Sequence, residues 1–202
     1  MASLPESGTP HAAPRRAAAL AGHEGDEATA RALLAHADGA VRATALGALG
    51  RMGALTASDV AQAALDPEAV VRRRAGAVAV AVSGAEVAGL LDDPDPSVVE
   101  TAAWALGERG DASAAVIAAL ARTATEHADA LCREAAVAAL GALGDRRGLP
   151  AVLAATNDKP AVRRRAVIAL APFAGPEVDA ALHRARNDRD RQVRQAAEDL
   201  LP

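Results

Sequence analysis

Two similar stretches of this 202-residue chain decide its fold: Cys132–Asp145, CREAAVAALGALGD, and Val98–Asp111, VVETAAWALGERGD. In the first stretch Cys132, Ala136 and Leu140 are spaced four residues apart, which places them along one stripe of an α-helix. A stripe of small and aliphatic side chains is typical of a helix that packs closely against other helices. Near its end each stretch has two glycines three residues apart, and an aspartate follows the second glycine. This pattern predicts a helix end followed by a turn.

The same pattern occurs six times along the chain. Each copy has an apolar residue, usually followed by arginine, and further small or apolar residues four and eight positions later. The six copies are Val41, Ala45 and Leu49; Val71, Ala75 and Ala79; Val98, Ala102 and Leu106; Cys132, Ala136 and Leu140; Val162, Ala166 and Leu170; and Val193, Ala197 and Leu201. Their first residues, which we call the anchors, are 30, 27, 34, 30 and 31 positions apart. This period predicts an array of helical hairpins in which each copy is the second helix.

The first helix of each hairpin is expected upstream of its copy, at about 26–37, 58–65, 85–91, 112–124, 149–156 and 176–186. Turn and cap sequences such as Asp66-Pro67 and Asp93-Pro94 separate the helices, since proline is tolerated in a first helical turn. Glycines between the hairpins are expected to end helices in the left-handed conformation. These are Gly50, Gly53, Gly84, Gly107, Gly110, Gly141, Gly144 and Gly175.

The repeats also predict the domain organisation. Residues 1–13 are expected to form a disordered tail, and residues 14–202 a single solenoid domain. Residues 14–21 are expected to form a short helix that covers the N-terminal end of the stack. The predicted fold class is therefore all-α, an α–α superhelix of about six hairpins.

Composition and charge argue against several classes of protein. The net charge of −4 disfavours a general nucleic-acid binder, although residues 146–202 carry 11 basic and 7 acidic side chains. The single cysteine, Cys132, cannot form an intramolecular disulfide and suits a reducing compartment. No apolar run reaches the roughly 18 residues that a membrane span needs, and the N-terminus lacks a signal-peptide pattern. A cytoplasmic protein without a membrane segment is expected.

No enzyme signature is found. The histidines occupy unrelated positions in the repeat and are expected in loops or on exposed surfaces. They are His11, His23, His36, His127 and His183. Cys132 stands where valine fills most other anchor positions, so a buried apolar role is expected for it. The sequence therefore predicts no catalytic residue, no cofactor and no metal.

An arginine ladder runs through the repeats, at the position after the anchor. Its members are Arg42, Arg72, Arg133, Arg163 and Arg194. Aspartates lie just upstream, at Asp38, Asp66, Asp95, Asp129, Asp158 and Asp190. Charge-assisted hydrogen bonds between the two sets are expected to link neighbouring repeats. The remaining arginines of the triplets 72–74 and 163–165 are open to two interpretations, packing or an anionic partner.

The stretches 98–111 and 132–145 resemble the short HEAT repeats of the phycobilisome-lyase-like group, and the resemblance covers roughly residues 24–202. The chain departs from the group's pattern at Val99, where the usual arginine is absent, and at Ala79-Val80, which replace Leu-Gly. No separate capping helix is expected after Leu201. The resemblance implies a non-enzymatic scaffold or adaptor that binds a partner protein on its concave face.

Related HEAT-like proteins imply two alternatives. One is a lyase-like accessory subunit that acts on a chromophore- or cofactor-bearing protein, and the other is a nucleic-acid-binding or DNA glycosylase-type module. Both need aromatic or basic surfaces, whereas the chain has one tryptophan in an acidic half. HEAT-like deoxyhypusine hydroxylases hold a di-iron centre with several His-Glu pairs, but this chain has one such pair, His23-Glu24.

The resemblance implies that the concave surface is lined by the side of each second helix opposite its buried stripe. Positions two and six residues after the anchor lie on that side. Trp104 is one of them and is expected to be partly exposed, as in an interaction hot spot. Ala43 and Gly47 are the corresponding residues of the first copy. The predicted partner-binding residues are Arg73, Glu100, Trp104, Glu134, Arg164 and Ile168. The partner's identity and the oligomeric state stay open.

Overall fold

The computed structural model describes residues 12–201, and all regular structure in that range is helical. Residue contacts group the chain into two compact units, one up to Glu86 and the other from Val87 onward. The predicted fold class, an all-α superhelix of HEAT-like hairpins, is confirmed. The predicted tail lies outside the described residues except for its last two, which belong to the first helix. A single domain over 14–202 stays a prediction.

The first unit contains helices α1 to α5. Their bounds are α1 Ala12–Glu24, α2 Glu27–Leu33, α3 Gly39–Met52, α4 Ala57–Ala64 and α5 Ala69–Ala79. Helix α1 packs on α3, which packs on α5, while α2 pairs with α3 and α4 with α5 as hairpins. Ala21 of α1 belongs to a buried cluster with Ala30, Ala48 and Leu49. Helix α1 therefore covers α3 as predicted for the leading helix, but it is longer than expected at both ends.

The second unit contains helices α6 to α12 and two 3₁₀ segments. Their bounds are a 3₁₀ segment Ala88–Asp92, α6 Pro96–Arg109, α7 Ala114–Glu126, α8 Ala130–Leu143, a 3₁₀ segment Arg146–Gly148, α9 Leu149–Ala155, α10 Pro160–Ala169, α11 Pro176–Ala185 and α12 Arg191–Glu198. The second helices α6, α8, α10 and α12 pack in succession. Helices α7, α9 and α11 pair with α8, α10 and α12, respectively, as the predicted hairpins.

The repeated stripe is the core of both units. Seventeen of its eighteen residues are buried, and the exception, Leu201, is half-buried at the last described position. Val99, which replaces a ladder arginine, is fully buried, so α6 has a buried apolar side chain where three other repeats have an ion pair. None of the helices within residues 12–201 has the length and apolar character that crossing a lipid bilayer requires.

The predicted helix at 85–91 is wrong. Only a 3₁₀ segment forms there, at Ala88–Asp92. The two anchors that flank it are 27 residues apart, the shortest spacing in the array. Gly84, with φ of 73°, ends the turn that follows α5. Few residues are left between Gly84 and the start of α6, and a short 3₁₀ segment needs fewer residues than an α-helix.

The predicted role of the glycines is correct for some positions and wrong for others. Gly53, Gly110 and Gly144 adopt positive φ and end α3, α6 and α8. Gly107 and Gly141 do not: they lie inside α6 and α8, where the next second helix approaches too closely for a side chain. Their role is tight helix packing.

Candidate functional site

The structure divides the predicted partner-binding residues between the two units. Arg73 lies on α5 of the first unit and is exposed. The other five lie in the second unit: Glu100 and Trp104 on α6, Glu134 on α8, and Arg164 and Ile168 on α10. Since α6, α8 and α10 pack in succession, these five occupy consecutive helices of one stack.

A shallow groove of about 310 Å³ is formed by residues of α6 and α8. Its lining residues are Glu100, Trp104, Gly107, Glu108, Ala135, Ala138, Ala139 and Ala142. The Trp104 side chain is 48% exposed. At Gly107 the two helices are so close that an added Cβ would lie 3.0 Å from the Cα of Ala139. The alanines and this close approach leave an apolar slot beside the indole. We call it the Trp104 groove.

Two carboxylates flank the indole along α6. Glu100, Trp104 and Glu108 are spaced four residues apart, so they follow one another on one face of the helix. Glu108 was not among the predicted site residues, because only the positions two and six residues after the anchor were considered. The next position on the same face, ten residues after Val98, would have identified it.

The rim of the Trp104 groove is negatively charged. The pKa of Glu100 is raised above its usual value, first by burial and then by the nearby carboxylates of Asp129, Asp95 and Glu134. Within residues 12–201, neither Glu100 nor Glu108 forms a hydrogen bond or ion pair through its side chain. Both carboxylates are therefore available to a cation from outside the chain.

The other predicted residues of the second unit do not line this groove. Glu134 accepts hydrogen bonds from Nε and Nη2 of Arg165, each at 3.4 Å. Arg164 donates from Nη1 to Oε1 of Gln192 at 3.2 Å. Ile168 is 42% exposed on α10. The structure thus brings Glu100 and Trp104 together in one groove, with Glu134, Arg164 and Ile168 outside its lining.

On α3, the prediction that the residues opposite the buried stripe are exposed is wrong. Ala43 is 4% exposed, and Gly47 is buried. Arg74 of α5 lies over Gly47, where an added Cβ would be 3.4 Å from the guanidinium carbon. Gly47 has no side chain to reach past its neighbours, so the long side chain of Arg74 covers it.

Three arginines of the ladder link neighbouring repeats, as predicted, although the partner of one of them, Asp188, was not among the predicted aspartates. Arg133 donates to Asp158 from Nε at 2.6 Å and from Nη2 at 2.8 Å, and its Nη1 donates to the carbonyl oxygens of His127 and Ala128. The same bidentate pairs join Arg42 to Asp66 and Arg163 to Asp188. In each pair the aspartate lies in the turn before the next second helix, whereas the turn before the arginine's own helix supplies carbonyl oxygens. These ladder arginines therefore have a structural role.

Two histidines also have structural roles. Nδ1 of His36 accepts a hydrogen bond from the N–H of Asp38 at 3.0 Å, and Nδ1 of His127 accepts one from the N–H of Asp129 at 3.1 Å. Both bonds support the turn before a second helix. His11 lies outside the described residues. Within residues 12–201, no three histidine, cysteine, aspartate or glutamate side chains form a group that could hold a metal ion.

Cys132 is fully buried in α8, as expected. Its thiol donates a hydrogen bond to the carbonyl oxygen of Pro96 at 3.4 Å. Burial, followed by the carboxylates of Asp129 and Glu100, raises the pKa of the thiol from 9.0 to about 11. A buried thiol that stays protonated is a poor nucleophile.

The raised pKa of Cys132 predicts a loss of stability in alkaline solution. The stabilisation is fully present below the unfolded pKa near 9.0 and is lost as the pH rises towards the folded value of about 11. The chain has no tyrosine and Lys159 is its one lysine, so few other side chains titrate in this range. Urea unfolding across these pH values should give a falling free energy of unfolding. Cys132→Ala should flatten the decline, and an unchanged slope would contradict this assignment.

Comparisons with known proteins agree with this architecture. A family model described as HEAT repeats matches residues 85–141 and 117–202, which together span more than half of the chain. No curated protein sequence matches the chain.

Two solved structures with TM-scores above 0.5 show a similar fold at low sequence identity. The X-ray structure of the Escherichia coli protein YibA is 17% identical with a TM-score of 0.76, and the match covers 96% of this chain and 77% of that one. A designed armadillo repeat protein in complex with the peptide (KR)4 is 16% identical with a TM-score of 0.55, covering 92% and 95%. Human deoxyhypusine hydroxylase in complex with glycerol is 22% identical with a TM-score of 0.49, covering 93% and 77%.

These identities establish likeness of fold alone. The family assignment rests on the periodic stripe, on the successive packing of the second helices in each unit, and on the match to the HEAT repeat model. The chain belongs to the HEAT repeat family.

Proposed function

We propose that the protein is a non-enzymatic adaptor whose second unit binds a segment of a partner protein in the Trp104 groove. The observation that carries this proposal is the half-exposed indole of Trp104 beside a slot lined by alanines. Tryptophan is among the residues most enriched at the energetic centres of protein interfaces, because it buries a large apolar area and retains a polar N–H. The small side chains of α8 leave room for a partner side chain to pack against the ring.

The fold is suited to this role. Second helices that pack in succession present one face from repeat to repeat, and solenoids use such extended faces for binding. The designed armadillo repeat protein of similar fold is in complex with a peptide, which supports the proposal that a stack of this kind can hold an extended segment.

Two finer assignments belong to the same proposal. The quoted repeats support membership in the phycobilisome-lyase-like group of HEAT proteins. The single cysteine, buried and without a disulfide partner, supports a cytoplasmic location, because free thiols persist in reducing compartments. A nucleic acid is disfavoured as the partner, since the carboxylates of Glu100 and Glu108 on the groove rim would repel its phosphates.

A pull-down with matched variants tests the adaptor function. Trp104→Ala should reduce recovery of the partner, because it removes the largest apolar contact of the groove. Leu131→Ala is the control, since Leu131 is a 58% exposed apolar residue on α8 that does not line the groove. The measurement is mass spectrometry of proteins that co-purify with each variant. If Trp104→Ala retained every specific protein that the wild type recovers, the groove would not be the binding site.

A further inference from the structure

We infer that the Trp104 groove accepts an arginine or lysine side chain from a basic segment of the partner protein. This inference rests on the proposed adaptor function and specifies the chemistry of the partner. It follows from the arrangement of one exposed aromatic ring, two carboxylates with no partner in the described part of the chain, and an apolar floor on α6 and α8.

The face of α6 provides the charges. Glu100 and Glu108 lie one helical turn before and after Trp104, and all three line the groove. A cation over the indole face is attracted by the ring quadrupole and, here, also by a carboxylate on each side. An anionic or uncharged side chain would obtain neither attraction.

Among residues 12–201, no cationic side chain pairs with the carboxylates of the rim. Ion pairs elsewhere in the second unit satisfy other acids: Arg133 pairs with Asp158, and Arg165 with Glu134. Within the described range, Glu100 and Glu108 have no such partner. Asp129, Asp95 and Glu134 add negative potential around Glu100, which is itself partly buried. A basic partner relieves this repulsion, and an acidic one increases it.

The floor of the groove fits the remainder of a basic side chain. Lysine and arginine carry aliphatic stems of three or four methylene groups that pack on apolar surfaces while the charged head stays in contact with water or a carboxylate. Ala135, Ala138 and Ala142 provide such a surface on α8, and none of them projects far enough to block it. The stem can therefore lie along the alanines while the head reaches Trp104 and its flanking carboxylates.

The chain offers a direct probe of this site. Trp104 is its only tryptophan, and there is no tyrosine, so the intrinsic fluorescence of the full-length protein reports the groove itself. Titration with a hexa-arginine peptide at low ionic strength should change the emission of Trp104 saturably, and added salt should weaken the affinity. Hexa-glutamate should have no effect.

Variants with matched net charge separate a specific site from general attraction. Glu100→Gln combined with Glu108→Gln should weaken hexa-arginine binding by about tenfold or more, because both flanking carboxylates are lost. Glu126→Gln combined with Glu198→Gln changes the net charge equally at exposed residues outside the groove and should leave the affinity nearly unchanged. Isothermal titration calorimetry provides the affinity independently of fluorescence, and circular dichroism checks that each variant is folded.

Three outcomes would overturn the inference. Hexa-arginine could leave the Trp104 emission and the calorimetric heat unchanged, or the two double variants could lose affinity equally. The third outcome is a sedimentation coefficient that rises with protein concentration in the wild type but not in Trp104→Ala. A second copy of the chain would then occupy the groove. If Trp104→Ala loses a partner in the pull-down but hexa-arginine does not bind the wild type, the proposed adaptor function is supported and the proposed basic chemistry of the partner is wrong. If neither effect is seen, both proposals fail.

Discussion

Replacing Arg163 by methionine is expected to destabilise the second unit by about 3–5 kcal/mol, because it leaves the Asp188 carboxylate without its partner. Arg163 is 7% exposed and donates to Asp188 from Nε at 2.8 Å and from Nη2 at 2.7 Å, while its Nη1 donates to the carbonyl oxygen of Asp158. One substitution therefore removes three hydrogen bonds and the link between two repeats. Urea unfolding followed by the fluorescence of Trp104 measures this effect in the unit that contains both residues.

An exposed ion pair of the same unit is the control. Arg146 pairs with Glu177 at 3.0 Å, but the two side chains are 65% and 42% exposed. Water screens such a pair, so Arg146→Met should change the free energy of unfolding by less than about 1 kcal/mol. Equal effects of the two substitutions would show that the buried ladder pair contributes no more than a surface contact.

The Arg163 effect should also depend on pH. The hydrogen bonds from Arg163 lower the pKa of Asp188 below its usual value. A lowered folded pKa stabilises the protein above the unfolded pKa of aspartate, and this stabilisation is lost as the pH falls through the folded value. The difference in stability between the wild type and Arg163→Met should therefore shrink in acid, below about pH 4. A difference that stays constant down to pH 2 would argue against this ion pair as its source.

Replacing Gly141 by valine is expected to destabilise the second unit by about 3 kcal/mol, through overpacking between α8 and α10. A Cβ at Gly141 would lie 2.6 Å from the Cβ and 2.8 Å from the Cα of Ala169. These atoms belong to the backbone of the next second helix or are fixed to it, so the two helices must separate. The separation would also disturb the contacts of every buried residue around the contact point. Chemical denaturation monitored by Trp104 fluorescence provides the measurement.

Gly89 provides the matched glycine control. It lies in the 3₁₀ segment of the same unit, and an added Cβ there would meet no atom within 4 Å. Gly89→Val should therefore leave the denaturation midpoint close to that of the wild type. A stable Gly141→Val variant would mean that α8 and α10 can repack without loss, contrary to the close approach in the structure.

The sequence predicted the repeated elements well because their signals are local. A stripe with a spacing of four residues specifies which side of a second helix is apolar, and it is buried throughout apart from half-buried Leu201. Aspartates before the second helices predicted their first turns, and Asp38 and Asp129 indeed cap α3 and α8. The 3₁₀ segment was missed because an apolar run of that length does not distinguish a short helix from a tighter turn.

The candidate site was predicted less completely. Helical geometry predicted that Trp104 is exposed and that Glu100 lies near it, which the structure shows. It did not indicate which neighbours would cover a small residue, so the burial of Gly47 beneath Arg74 was not anticipated. Nor did it show that Glu134 would be paired with Arg165, because that contact joins helices of different repeats.

By itself the sequence determined the helical class, the repeat length, the buried stripe and the positions of the ladder arginines, because each depends on spacing within one helix or on the recurrence of that pattern along the chain. Only the tertiary structure decided that Arg42, Arg133 and Arg163 bind aspartates in the turn before the next second helix, and that Gly107 and Gly141 are contact points between helices. It also decided that, among residues 12–201, the carboxylates of Glu100 and Glu108 have no ion-pair partner. These features depend on distances between residues about 25 to 35 positions apart in the chain, which are set by how one hairpin packs on the next.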